Sequence, residues 1–310
     1  AVLTFNFASI SPIPDLRHKK SSHFLASSST IKHLPIRAQM SRVRKLISDF
    51  PHLLAPQKDI LNAAVSTVDE RLGSLLLPSS LSVPPDLESY QSPTGSSLGL
   101  LNINRGENAS PIDFLLTNCM HLTLPNGSTM NVVTLQGHLK ATTDAPHLVF
   151  EVTHITPSKL LVVLDLTPRK DLILHPDYLK AYYEEGGLEQ CRKAFYERIP
   201  EAEAYVSSSM HVRSVMSPTG ILATVACGDR TEEIMREGVG PVAEEVVRIW
   251  AENCGRGRAV SEEERRELER RDLMLKKKTV EIDLAPKLPA IFGQDVGNRV
   301  IQVMTTVYGT

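Results

Sequence analysis

The chain has 310 residues, 42% of them hydrophobic and 23% charged, with a formal net charge of -2. That is the composition of a soluble globular protein, and the near balance of charge excludes a surface that is one large footprint for nucleic acid. No apolar run reaches the roughly 18 residues needed to span a bilayer. The four cysteines, Cys119, Cys191, Cys227 and Cys254, include no C-x-x-C pair that would signal a zinc or iron-sulfur site.

Residues 1–39 are rich in serine and carry Arg17, Lys19, Lys20, Lys32 and Arg37 against one acidic residue, Asp15. This pattern predicts an organelle transit peptide, set apart from a single domain over residues 40–310. A basic helical turn opens at Ser41, and a longer helix begins at Ala55, where Ile60, Ala64, Val68 and Leu72 recur at helical spacing. Pro, Ser and Gly between Leu81 and Ser97 predict a loop.

Strands follow over 98–104, 112–124, 129–139, 147–156 and 159–166, divided by turn residues. Their connections are too short for a crossover helix, so neighbours pair antiparallel as a meander. A helical stretch from Pro176 to Phe195 is broken at Gly186-Gly187, and two further strands near 209–217 and 221–227 would extend the sheet.

The last third is helical. Thr231 to Cys254 carries Ile234, Val242, Val246 and Trp250 on one broad face. Ser261 and Glu264 form a capping box at the start of a charged helix, in which Glu262/Arg266, Glu267/Arg271 and Asp272/Lys276 stand four residues apart. A final helix covers 294–308. One leading helix, a run of strands and several closing helices predict an antiparallel sheet covered by helices on both faces.

The phosphate, dinucleotide, nucleophile-elbow and zinc-protease motifs are absent. Two carboxylates sit in unusual places. On the strand 147–156, period-2 alternation puts Leu148, Phe150 and Val152 on one face and Glu151 on the other with Val149, Thr153 and Ile155. Glu151 is then either a carboxylate on a wetted face or, under an apolar cover, an acid able to hold a proton. Asp283 lies where the charged helix gives way to an irregular apolar segment ahead of Pro286. His154 and His175 are lone histidines. Arg169, Lys170 and Arg213 flank apolar strands, where a guanidinium could hold the carboxylate of a greasy ligand.

Several stretches taken together resemble one family. Ser110-Pro-Ile-Asp-Phe114, Phe150-Glu151, Val162-Val-Leu-Asp-Leu166, Pro168-Arg-Lys-Asp-Leu172, Pro176-Asp-Tyr-Leu179, Val212-Arg-Ser214, Ser217-Pro-Thr219, Glu269-Arg-Arg-Asp272 and Phe292-Gly293 resemble the red chlorophyll catabolite reductases of plant chloroplasts. These are relatives of the ferredoxin-dependent bilin reductases, and the likeness runs in order over roughly residues 43–308. The resemblance implies an α/β/α sandwich with a central antiparallel sheet, a homodimer of the chloroplast stroma, and reduction of an open-chain tetrapyrrole, red chlorophyll catabolite. It implies no bound cofactor, with electrons arriving one at a time from reduced ferredoxin.

The family's functional glutamate and aspartate match Glu151 and Asp283, as proton donors or substrate-orienting carboxylates. Chemistry suggests Arg213 and Arg169 for the substrate propionate and Met216 as a pocket wall that biases the face protonated. For an acidic ferredoxin, Arg42, Arg44 and Lys45, or Lys276 to Lys278, offer a basic patch. The alternative is a tetrapyrrole carrier that binds without reducing.

Overall fold

The computed structural model describes residues 36–77, 83–124 and 126–310. The leader up to residue 35 lies outside this range, while its last four positions belong to helix α1 (Ile36–Asp49). Helices α2 (Ala55–Leu72) and α3 (Pro85–Glu88) follow.

The strands are β1 (Ser89–Gln91), β2 (Leu98–Arg105), β3 (Ile112–Thr123), β4 (Thr129–Leu139), β5 (His147–Thr156), β6 (Lys159–Thr167), β7 (Ala202–Ala204) and β8 (Ile221–Ala226). They form one antiparallel sheet in the order β1-β2-β3-β4-β5-β6-β8-β7. The meander expected from the short connections therefore holds from β2 to β6.

The sheet differs from the sequence expectation at its edges. Residues 209–217, expected as a strand, contain helix α6 (Met210–Val215), because the Ser209 hydroxyl accepts the Val212 N–H at 3.3 Å and caps a helical turn. The edge place goes instead to β7, paired with β8. At the other edge β1 falls within the segment read as loop. Both edge strands have three residues, too few for alternation to register.

Side chains alternate across the pleat and so divide into two layers. On one face Leu148, Phe150 and Val152 of β5 and Leu160, Val162 and Leu164 of β6 join one dry core with α1, α2, α5 (Leu188–Arg198) and α8 (Gly240–Arg256). Gly137 belongs to this packing, since a Cβ there would stand 2.2 Å from the ring of Trp250. Between these elements lie the short helices α4 (Pro176–Leu179) and α7 (Thr231–Glu233).

On the opposite face Phe114, Leu116, Leu122 and Val132 pack beneath α10 (Leu288–Phe292) and α11 (Gln294–Tyr308). Helices on both faces make the expected α/β/α sandwich. Over β4–β6 that second face changes character. Thr134, Gln136, His138, His147, Glu151, Thr153, Asp165 and Thr167 are all buried there. Burying so many polar groups opposes folding unless they are paired or in use.

Helix α9 (Glu262–Thr279) closes this polar half. Its capping box forms as expected: Glu264 N–H donates to the Ser261 hydroxyl at 3.2 Å, and Ser261 N–H donates to Glu264 Oε2 at 2.8 Å. The expected pairs along the helix do not. Asp272 and Lys276 are buried and reach across to the sheet layer, Lys276 Nζ lying 2.7 Å from Asp113 Oδ2. Arg271 donates to the Pro168 carbonyl at 2.9 Å.

Candidate active site

The register fixes which polar residues are neighbours. Thr134 stands opposite Glu151 across β4–β5, and Asn118 opposite Thr134 across β3–β4, so Asn118, Thr134 and Glu151 form one row across three strands. The next row holds Gln136 and Asp165 on either side of Val149, and beyond it come Phe114 and His138. Opposite positions in such a pair have their Cβ atoms about 5 Å apart. Glu151 therefore sits in the interior of a buried polar field, where its Oε1 accepts the Thr153 hydroxyl at 3.2 Å. The wetted-face alternative does not hold, because the helical layer covers it.

Asp283 comes from above. The end of α9 widens into one broader turn over Val280–Leu284, with Ala285 N–H bonded to the Val280 carbonyl at 2.9 Å, five residues back. Such turns recur at functional sites because the extra residue turns side chains off the helix register. Here Asp283 and Leu284 are both buried. Asp283 Oδ1 receives Lys287 Nζ at 3.3 Å, and Oδ2 is buried with no hydrogen-bond partner among the described residues.

Tyr308 links the two layers, its hydroxyl 3.5 Å from Gln136 Oε1. Burial first, and then the Asp283 charge, push this phenol well above its usual range. It is therefore an O–H donor at physiological pH. His211 on α6 is also near Asp283: burial lowers its pKa and the carboxylate pulls the other way. Thus Asp283, Tyr308 and His211 form the cover, and Gln136 and His138 lie in the sheet beneath.

A cavity of about 30 Å³ separates these layers, lined by Gln136, His138, His147, Val149, Thr167, His211, Val215, Met216, Leu275 and Tyr308 among others. His211, Val215 and Leu275 also line an open groove of about 610 Å³ between α6, α9 and the 169–175 loop. That volume is in the range of small-molecule sites. Ile173, Leu174 and Met210 stand exposed around it, Ile173 at 89%. Arg169, Lys170, Arg270, Arg271 and Lys278 are its cations, Arg169 and Lys170 themselves being buried.

The candidates from sequence are distributed unevenly. Glu151 and Asp283 are buried in the two layers that meet over this face without lining the groove or the cavity, and Met216 lines the cavity. Arg169 is instead locked inside. Its guanidinium pairs with both oxygens of Asp272 and donates to the Thr143 carbonyl at 2.6 Å, because the buried charge needs fixed partners. Arg213 is exposed on α6 and lines neither groove nor cavity. Of the proposed basic patches, Lys276 is buried, and Lys277 and Lys278 pair with Glu281 at 3.9 and 2.7 Å.

Sequence reasoning passed over Gln136, His138 and Tyr308. For the first two a signal existed: Thr134, Gln136 and His138 alternate within an interior strand, which places three polar side chains on one face. Asp165 is an anchor. It accepts the Ser217 N–H at 2.9 Å and the Ser217 hydroxyl at 2.5 Å, holding the turn after Met216 to the sheet.

Among the described residues no cluster of His, Cys, Asp or Glu could hold a metal ion, and no helix is long and apolar enough to cross a membrane. What the site offers is buried carboxylates, neutral polar groups and an apolar mouth.

The fold has a counterpart among solved structures. It matches tomato phytochromobilin synthase, solved in complex with biliverdin, with a TM-score of 0.59 over 81% of this chain and 82% of that one at 16% identity. Sequence carries the assignment further. The family model for red chlorophyll catabolite reductase matches residues 56–306. The chain is 38% identical over 291 residues to the chloroplastic red chlorophyll catabolite reductase of Arabidopsis thaliana, covering 90% of each. It is also 38% identical over 259 residues to the chloroplastic red chlorophyll catabolite reductase 1 of Oryza sativa subsp. japonica, covering 81% of this chain and 78% of the relative. The chain belongs to the red chlorophyll catabolite reductase family.

Proposed function

We propose that this protein reduces red chlorophyll catabolite, a linear tetrapyrrole, to a primary fluorescent catabolite in the chloroplast stroma, as a homodimer supplied with electrons by reduced ferredoxin. The observation that carries the reading is the match to catabolite reductases over nine-tenths of both chains. The buried pair Glu151 and Asp283, in the two layers that face each other, supports it.

The conjugated substrate accepts two electrons, one from each of two ferredoxins, and each electron is matched by a proton. The protein's task is then to orient the ligand and supply protons. Glu151 and Asp283 are the donors or orienting carboxylates, and both are buried. The 610 Å³ groove holds the apolar body of the tetrapyrrole, with the reacting end directed at the inner cavity, which at about 30 Å³ must widen to admit it. Since Arg169 is engaged with Asp272 and Arg271 with the Pro168 carbonyl, we assign the propionate to Arg270 on the groove wall, with Arg213 outside it. Met216 walls one side of the reacting ring.

The test is an anaerobic incubation of protein, red catabolite and reduced ferredoxin. A blue-fluorescent product supports a reductase; a bound but unchanged ligand supports a carrier.

A further inference from the structure

Outside the two carboxylates, Asn118, Thr134 and His138 on this face each leave a buried polar atom without a hydrogen-bond partner among the described residues, and of these His138 lines the inner cavity. His138 lies in the interior strand β4, 7% exposed, and lines the inner cavity. Its ring stacks on Phe114 at 4.5 Å between centroids, and His147 and Tyr308 close at 4.8 and 5.8 Å. The ring orientation is thus fixed by three aromatic neighbours. Yet Nδ1 is buried with no hydrogen-bond partner among the described residues.

The adjacent histidine shows the contrast. His147 Nδ1 accepts the Leu139 N–H at 3.1 Å, and Nε2 lies 2.9 Å from Asp272 Oδ1. Both of its nitrogens serve the fold. A buried polar atom left unmatched beside a cavity costs stability without return to the fold, so a bound partner is the physical reason to keep it.

We propose that His138 is a substrate-binding residue, whose ring nitrogen Nδ1 accepts a pyrrole N–H of the linear tetrapyrrole and so fixes the reacting end against the Glu151 face. This rests on the functional reading above. A neutral ring can accept: burial first, then neighbouring groups including Lys276 and Arg169, hold the His138 pKa well below its ordinary value. A pyrrole N–H is a donor that needs such an acceptor in an apolar site.

The experiment compares His138→Leu and His138→Asn with wild type. Leucine has similar bulk and no polar atom, whereas asparagine keeps an oxygen near the Nδ1 position. The dissociation constant for red catabolite, measured by absorbance without ferredoxin, should rise about tenfold in His138→Leu. Its melting temperature should stay level or rise, because a partnerless buried group has been removed. His138→Asn should recover part of the affinity. Unchanged affinity in His138→Leu overturns the inference and leaves the functional reading standing. A lost affinity that follows a lowered melting temperature in both variants, with no recovery by asparagine, also overturns it in favour of a packing role. A wild-type protein that neither binds nor reduces the catabolite overturns the functional reading, and this inference with it.

Discussion

Asp272 on α9 grips Arg169, from the loop after β6, at both oxygens, with Nε to Oδ1 at 3.2 Å and Nη2 to Oδ2 at 2.5 Å. This pair, joined by His147, ties the helical layer over the site to the sheet. Removing the carboxylate would leave a buried guanidinium unpaired. Asp272→Ala should lower unfolding stability by about 3–5 kcal/mol in a denaturant titration. Burial pushes the Asp272 carboxyl upward, but His147 and Arg169 outweigh it and hold the pKa below the ordinary 3.8. With the folded value depressed, the stabilisation is present above pH 3.8 and is lost as pH falls below it.

Asp165 runs the other way. Burial raises its pKa to about 6, against the pull of the Ser217 hydrogen bonds. The folded state therefore binds the proton more tightly than the unfolded chain. Its contribution is full below pH 3.8 and is lost as pH rises through about 6. The difference of roughly two pH units corresponds to about 3 kcal/mol. Asp165→Asn should flatten the slope of melting temperature against pH in the window from about 4 to 6, which a set of buffered thermal scans would show.

The cationic wall of the groove separates two assignments for the substrate carboxylate. Arg270→Ala should raise the Michaelis constant for red catabolite by about two- to fivefold, the worth of an exposed ion pair, with little change in turnover. Arg213→Ala should leave both constants unchanged, since Arg213 lines neither groove nor cavity. Steady-state kinetics at fixed ferredoxin would distinguish them.

Met216 lies at the cavity wall, held there by the Asp165–Ser217 anchor. Met216→Ala should widen the pocket on one side of the reacting ring and yield a less uniform mixture of product stereoisomers. Chiral chromatography of the fluorescent product measures this directly.

Strands β2 to β6 were legible because alternation and turn residues agree along each of them. The face carrying Glu151 was legible for the same reason. The helix α6 was misread because Met210, Val212 and Val215 mimic an apolar strand, while the decisive feature is a single cap at Ser209. Arg169 illustrates a deeper limit. Its partner Asp272 is 103 residues away, and local spacing offered Asp272 to Lys276 instead. Long-range pairing of charges is a property of the packed layers, and no window of sequence contains it.

Glu151 and Asp283 are proposed to serve chemistry and not folding. The most direct measurement is turnover of red catabolite with reduced ferredoxin in Glu151→Gln and Asp283→Asn, alongside their thermal unfolding. Turnover should fall by about a hundredfold or more in at least one variant, the scale of a lost proton donor, with melting temperatures close to wild type. Wild-type rates in both variants would contradict it.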